Sequence, residues 1–220
     1  MGTAGAGYAA YLHGNGYEKV SGIDVRLKTV CDVNQERAAA LQHRYGYETT
    51  CADFQELVQD PEIDVIDIVT PPMLHPQMII DALSHGKHVI CEKPLTGYFG
   101  APGQKDVGLT VAKGEMFRQV MAQMDELKKV IDRSGSKFMY AENYVYATPV
   151  QKAAEIIRAK NSKILWLKGE ESVKGSTTAA AGLWSCIGGG SLTRIACHPL
   201  TGILWLKRQE ALNRGEEIAI

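Results

Sequence analysis

The 220 residues carry 24 Lys plus Arg against 25 Asp plus Glu, a formal net charge of −1, with 45% hydrophobic and 22% charged residues. That balance is ordinary for a soluble globular protein with room for one large core or two small ones, and it offers no basic surface for gripping nucleic acid. No apolar run approaches the roughly 18 residues of a membrane span, the start lacks a secretory pattern, and Cys31, Cys51, Cys91, Cys186 and Cys197 never fall as C-x-x-C, which argues against disulfides or a metal site and for reduced thiols in the cytoplasm.

In chain order, the first signal is Gly5-Ala6-Gly7-Tyr8-Ala9-Ala10, a match to G-x-G-x-x-G/A. The first glycine permits a tight turn, the second lets the backbone approach a pyrophosphate, and small third residues let helix and strand pack closely. Free N–H groups at the start of the following helix point at the anion. Only Met1–Ala4 precede the turn, short of a strand of about five or six residues, so the first strand reads as truncated. A strand is expected over Ile23–Cys31, ending at Asp32. A carboxylate there accepts hydrogen bonds from ribose hydroxyls, which favours NAD over its 2′-phosphorylated form; a surface or helix-capping acid is the plainer reading.

A helix over Gln35–Tyr45 follows, then the strand Asp64–Val69, stopped by Thr70-Pro71-Pro72. A helix over Pro76–His85 closes at Gly86, and the strand Lys87–Cys91 runs into Glu92-Lys93-Pro94. Gly97–Gly114 is glycine-rich and without period, either a floppy insertion or, since it follows the strongest motif, a functional loop. Met116–Arg133 is an amphipathic helix, and Lys137–Ala141 a strand. Strands alternating with helices imply a doubly wound parallel sheet of the Rossmann type. After residue 142 the pattern changes: a helix over Pro149–Ala159, a strand over Ile164–Leu167, a small-residue stretch Ser176–Gly182, three glycines at Gly188-Gly189-Gly190, and a last helix near Ser191–Lys207. The expected division is a dinucleotide-binding domain over 1–142 and the beginning of a C-terminal α/β domain over 143–220.

Glu92-Lys93-Pro94 after a G-K-H-V strand resembles the signature of the glucose–fructose oxidoreductase and inositol dehydrogenase family (Gfo/Idh/MocA). Gly5–Ala10 with His13, Asp32, Thr70-Pro71-Pro72 with His75, Ala141-Glu142-Asn143, and the three glycines with Arg194 and His198 follow in the family's order. The resemblance implies hydride transfer between a nicotinamide and a hydroxyl-bearing carbon of a sugar, polyol or sugar derivative. It implies homo-oligomers of the full-length protein, with Thr70, Pro71, His75, Glu92 and Lys93 on the cofactor side. Lys93 would lie beside both nicotinamide and substrate, and His198 would be the general acid/base. Arg194 stands where many members have an aspartate, and members run well past 300 residues, so the chain reads as truncated at both ends.

The residues themselves permit this chemistry. Oxidising an alcohol needs a base near working pH, which histidine supplies. Lys93 would stabilise developing alkoxide charge. Arg194 and His198 are spaced to share one helix face, with Pro199 expected to bend that helix, and Arg194 would hold a substrate hydroxyl or carboxylate. Asn143 and Tyr144 are candidate substrate contacts, and Trp184 either walls the substrate pocket or fills core. On the residues alone, His198 is equally a satisfied core histidine and Lys93 a strand-end lysine. The competing functions are an NADP-dependent dehydrogenase of other small carbonyl compounds, a non-catalytic NAD-binding regulator, and an inactive fragment.

Overall fold

The computed structural model describes residues 1–175 and 178–217. Six strands form one sheet: β1 (Gly2–Ala4), β2 (Thr29–Cys31), β3 (Thr49–Cys51), β4 (Val65–Ile68), β5 (His88–Cys91) and β6 (Phe138–Tyr140). All pairings are parallel, in the order β3-β2-β1-β4-β5-β6. Parallel neighbours need crossovers, here α1 (Tyr8–Tyr17), α2 (Gln35–Tyr45), α3 (Phe54–Gln59), α4 (His75–Ser84) and α6 (Lys113–Arg133). The short helix α5 (Val107–Thr110) lies between β5 and α6.

Helices cover both faces, so the central strands are buried on both sides, mostly by apolar residues. On one face Ile66 and Ile68 of β4 pack with Leu57 of α3, Ile79 of α4 and Leu127 of α6. On the other, Val30 packs with Ala10 of α1 and Ala38 and Leu41 of α2. Local chemistry sets the helix ends: Asn34 caps α2 by accepting from the Arg37 N–H, and Gly46 closes it with φ +76°.

The order in which strands are added reverses between β1 and β4, which are parallel neighbours in the sheet. In such sheets the crevice outside the carboxyl ends of the strands at this switch point is where ligands bind. The first strand, expected to be too short, pairs on both sides over its three residues, Gly2 with Thr29 and with Ile66.

Several expectations are corrected. Of the strand Ile23–Cys31, only Thr29–Cys31 pairs; the preceding residues are irregular. The pair β3 and α3 was missed because a three-residue strand has too little pattern to read. Ile164–Leu167 forms no strand: it has no pairing partner among the described residues, and Leu165 and Trp166 project outward. It lies across the last helix, with the Ile164 N–H on the Glu210 carboxylate at 3.1 Å.

The last helix is two. After α7 (Thr148–Lys160) and α8 (Trp184–Ile187), α9 (Gly190–Arg194) stops at Ile195, and α10 (Cys197–Arg214) starts afresh. Pro199 sits in the first turn of α10, where a missing N–H costs nothing, so it starts the helix instead of bending it. α10 packs along α7. The first two residues of the stretch Ser176–Gly182 lie outside the described residues. No helix among the described residues is long and apolar enough to cross a membrane.

Leu127 ties the long helix α6 to the sheet and is fully buried. Leu127→Ala should cost about 2–5 kcal/mol of stability, read as a lower urea midpoint with unchanged slope; an unaltered midpoint would show that α6 does not contribute to the core.

Candidate active site

The glycine turn leaves β1 at the switch point. Gly5 has φ +100°, a conformation side chains rarely adopt, and a Cβ there would stand 2.9 Å from the Val69 carbonyl oxygen. Two backbones meet here because neither carries a side chain at the contact. Gly7 precedes α1 and has no atom within 4 Å of where its Cβ would be. That open space adjoins the first-turn N–H groups of α1, which have no acceptor within the helix, so the cradle fits a pyrophosphate. Ala10 is buried against the sheet, Ala9 half-buried, and the Tyr8 ring projects into solvent.

Asp32 stands at the tip of β2 beside this turn. Its carboxylate accepts from the Ala6 N–H at 2.7 Å and from the Asn34 N–H at 2.8 Å. The acid therefore braces the glycine turn and presents its remaining lone pairs at the turn's edge, where a ribose would lie.

The contact at Gly5 leads on to the second loop. Behind the Thr70-Pro71 segment, which touches Gly5, the fully buried His75 lies 2.8 Å from the Thr70 carbonyl oxygen and 3.0 Å from that of Pro94. Burial holds its pKa below the ordinary histidine value. His75 was expected on the cofactor side. Its burial excludes direct contact, and it acts as a clasp between the loops after β4 and β5.

Beneath those loops lies a buried ionic cluster that the sequence reading missed. Asp67 is the inward residue of β4 on the α1 side and has no solvent exposure. His13 of α1 contacts it through Nδ1 at 2.9 Å and reaches the Glu92 carboxylate through Nε2 at 3.2 Å. The Tyr17 hydroxyl donates to Asp67 at 2.7 Å. Burial alone would depress the His13 pKa, but the two carboxylates outweigh it and hold it up at about 10. Burial would raise the Glu92 pKa, yet His13 keeps it below the ordinary value. The missed signal was Asp67 within a run of Val and Ile: a carboxylate on a doubly buried strand demands a partner.

Glu92 also accepts from the Lys93 N–H at 2.9 Å, fixing the start of the lysine loop. The Lys93 ammonium then donates to the Arg194 carbonyl oxygen at the end of α9, 3.1 Å away. The C-terminal glycine segment is thereby held over the carboxyl end of β5.

The segment Gly97–Gly114 makes a second clasp. The Tyr98 N–H donates to the Gly188 carbonyl at 2.8 Å, and Gly97 and Gly188 touch backbone to backbone. Trp184 donates from its indole to the Tyr98 carbonyl at 2.7 Å, and its ring leaves no room for a Cβ at Gly108. Trp184 is thereby anchored to this segment. Val107 of the segment is buried, while residues 101–106 are exposed.

His198 opens α10. Its Nδ1 lies 2.8 Å from the buried Glu142 carboxylate, and the Tyr144 ring stacks on the imidazole with centroids 4.7 Å apart and planes 18° from parallel. Glu142 was quoted only as part of a motif; the structure makes it the histidine's partner. Tyr144, expected to touch substrate, stacks against His198. Asn143 is exposed and caps nothing with its side chain. Arg194 and His198 do not share a helix face, because the break at Ile195 separates them. The Arg194 side chain is half-buried and has no hydrogen bond or ion pair with the described residues. The Cys197 thiol stands close to the Glu142–His198 pair. Burial raises its pKa although the Lys93 ammonium pulls the other way. A 2.8 Å nitrogen–oxygen contact beside an ammonium is a hydrogen-bonded dyad and not a cation cradle.

Comparisons with known proteins agree with this geometry. Residues 1–102 match the family described as an oxidoreductase family with an NAD-binding Rossmann fold. The levoglucosan dehydrogenase of Pseudarthrobacter phenanthrenivorans is 36% identical over 102 residues, covering 43% of this chain and 26% of that protein. The myo-inositol 2-dehydrogenase of Thermotoga maritima is 28% identical over 96 residues, covering 44% of this chain and 28% of that protein. A solved levoglucosan dehydrogenase in complex with NADH superposes with a TM-score of 0.68 at 26% identity, covering 93% of this chain and 52% of that one. The chain thus spans about half the length of the solved relative and about a quarter of the curated relatives it matches in sequence.

The Gly5→Ala variant should lose NADH affinity, followed by NADH fluorescence, since the turn would have to move away from Val69; undiminished binding would remove the turn from the site. The His13 cluster gives a pH signature. Its folded pKa of about 10 exceeds the ordinary 6.5, so its stabilisation is complete below 6.5 and is lost as pH rises through about 10. In urea unfolding, the stability gap between the native protein and His13→Gln should narrow across that window; a constant gap would exclude a charged His13.

Proposed function

Residues 1–102 match the Gfo/Idh/MocA oxidoreductase family, and on that premise we propose that the chain is an NAD-dependent dehydrogenase of sugar-like alcohols. The observation that carries the reading is the contact between the Lys93 ammonium and the end of α9, which brings the loop after β5 and the His198 segment to one place. That place lies beside the switch point where the glycine turn cradles an anion. The relatives named for levoglucosan and myo-inositol support the substrate class.

When bound, the nicotinamide supplies the acceptor for the hydride leaving the carbinol carbon. His198 takes the hydroxyl proton as the C–O bond becomes a carbonyl, so that one hydride and one proton leave the alcohol. Lys93 carries a positive charge to the oxygen on which negative charge develops. Asp32 receives the ribose hydroxyls, and a 2′-phosphate would meet its charge, which favours NAD over NADP. Residues from 143 onward supply the substrate side.

Arg194 sets the substrate preference within this reading. A half-buried guanidinium without an ion pair among the described residues is suited to a carboxylate or a hydroxyl-rich face. Sugar acids and their lactones are therefore the proposed preferred class.

The test is NADH binding followed by an oxidation screen of levoglucosan, inositols and sugar acids. His198→Ala should lower kcat by about 10²–10⁴-fold while leaving NADH affinity intact, and Arg194→Ala should raise KM for sugar acids more than for neutral polyols. Tight NADH binding without turnover of any alcohol would overturn the enzymatic reading in favour of a regulator. Normal turnover in His198→Ala would remove the assigned base.

A further inference from the structure

Three features of His198 point to one unassigned role. Its Nδ1 faces a carboxylate, its ring face is covered by Tyr144, and its backbone begins a new helix at α10. The carboxylate belongs to Glu142, which lies just beyond β6, far from His198 in the chain. Its side chain is only 2% exposed. One oxygen accepts both the Tyr144 N–H at 2.9 Å and His198 Nδ1 at 2.8 Å. The other oxygen is buried, lies 2.8 Å from the same Nδ1, and has no further hydrogen-bond partner among the described residues.

A carboxylate this enclosed has two uses for an imidazole N–H and none for an imidazole lone pair. An ionised carboxylate only accepts, so it selects the tautomer with the proton on Nδ1. Nε2 is then the ring nitrogen with a free lone pair. The Tyr144 ring, stacked on one face of the imidazole, limits its rotation out of this plane. When His198 accepts a proton at Nε2, the underused Glu142 oxygen faces the new positive charge at short range.

We propose that Glu142 is the positioning residue of the dehydrogenase: it fixes the tautomer and orientation of His198 and stabilises the imidazolium formed during proton transfer, with Tyr144 holding the ring face. The inference rests on the reading of His198 as the acid/base. It assigns the orienting carboxylate to a separate strand end, because position 194, on the histidine's own segment, is an arginine. Glu142 touches neither substrate nor cofactor; it acts through His198.

Glutamine at 142 separates this role from bulk support. Gln keeps the volume, but its NH₂ can donate to Nδ1, which favours the opposite tautomer and removes the Nε2 lone pair. The direct readout is the imidazole ¹⁵N spectrum of His198 at alkaline pH, assigned by comparison with His198→Gln and recorded without cofactor. The native protein should show the Nδ1–H tautomer, and Glu142→Gln should shift the population toward Nε2–H. The kinetic readout on an active substrate is a fall in kcat of about 10²–10⁴-fold with KM little changed, the scale seen when a histidine base loses its orienting carboxylate. Glu142→Asp should recover part of it.

A native Nε2–H tautomer, or a Glu142→Gln spectrum identical to the native one, would overturn the inference even if the dehydrogenase reading stands. Should Glu142→Gln unfold the protein, the native spectrum alone still decides, since an Nε2–H tautomer contradicts the pairing. Absence of turnover in the native protein with the expected tautomer would instead defeat the functional reading on which the assignment rests.

Discussion

The site depends on one close approach: the backbone of Gly5 lies against that of Val69 and Thr70, with no side chain between them. The contact joins the loops after the two neighbouring strands at the switch point, β1 and β4. A chain of short contacts continues from it. Thr70 is held by His75, His75 also holds Pro94, and the adjacent Lys93 reaches the end of α9, just before the helix whose first turn carries His198. A phosphate cradle, a lysine and a histidine from three distant parts of the sequence therefore share one end of the sheet. Displacing the first contact by even a methyl group would be felt along the whole series, because each member is packed on the next.

Beneath this surface the charges are arranged around burial. Asp67 has no access to water, and an isolated carboxylate there would be costly. His13, Tyr17 and Glu92 resolve the problem together, with one imidazolium shared by two carboxylates. The arrangement connects α1, whose first turn faces the cofactor site, to the residue preceding the lysine. Glu142 and His198 repeat the same solution on the opposite side of the lysine loop. In both pairs a buried acid with few donors specifies the state of a histidine, which turns an energetic liability into a fixed geometry.

Much of this was legible in the sequence where the local signals are strong. The glycine turn needs backbone conformations that few residues supply, so Gly5 and Gly7 announced it. The long helix α6 and the Val/Ile strand β4 followed from periodicity and length, and the parallel sheet from their alternation. Three-residue strands such as β3 carry no readable period, and the region after residue 142 was misread because pairing depends on distant partners. Ile164–Leu167 has strand composition, yet its neighbour is a helix. The break at Ile195–Ala196 was invisible because Pro199 can bend a helix or start one, and only tertiary packing decides which. Lys93 and His198 came from the family resemblance, not from their own surroundings. Their partners Asp67 and Glu142 were hidden because a buried acid and its histidine lie more than fifty residues apart in each case.

The central claim is that a dinucleotide lying on the Gly5–Gly7 turn brings its nicotinamide to Lys93 and His198. A crystal structure of the protein with NADH measures this directly. The account expects the pyrophosphate on the first-turn N–H groups of α1, the adenosine ribose at Asp32, and the nicotinamide in contact with the Lys93 side chain and facing the His198 ring. A dinucleotide bound elsewhere, or with its nicotinamide turned away from Lys93, would contradict it.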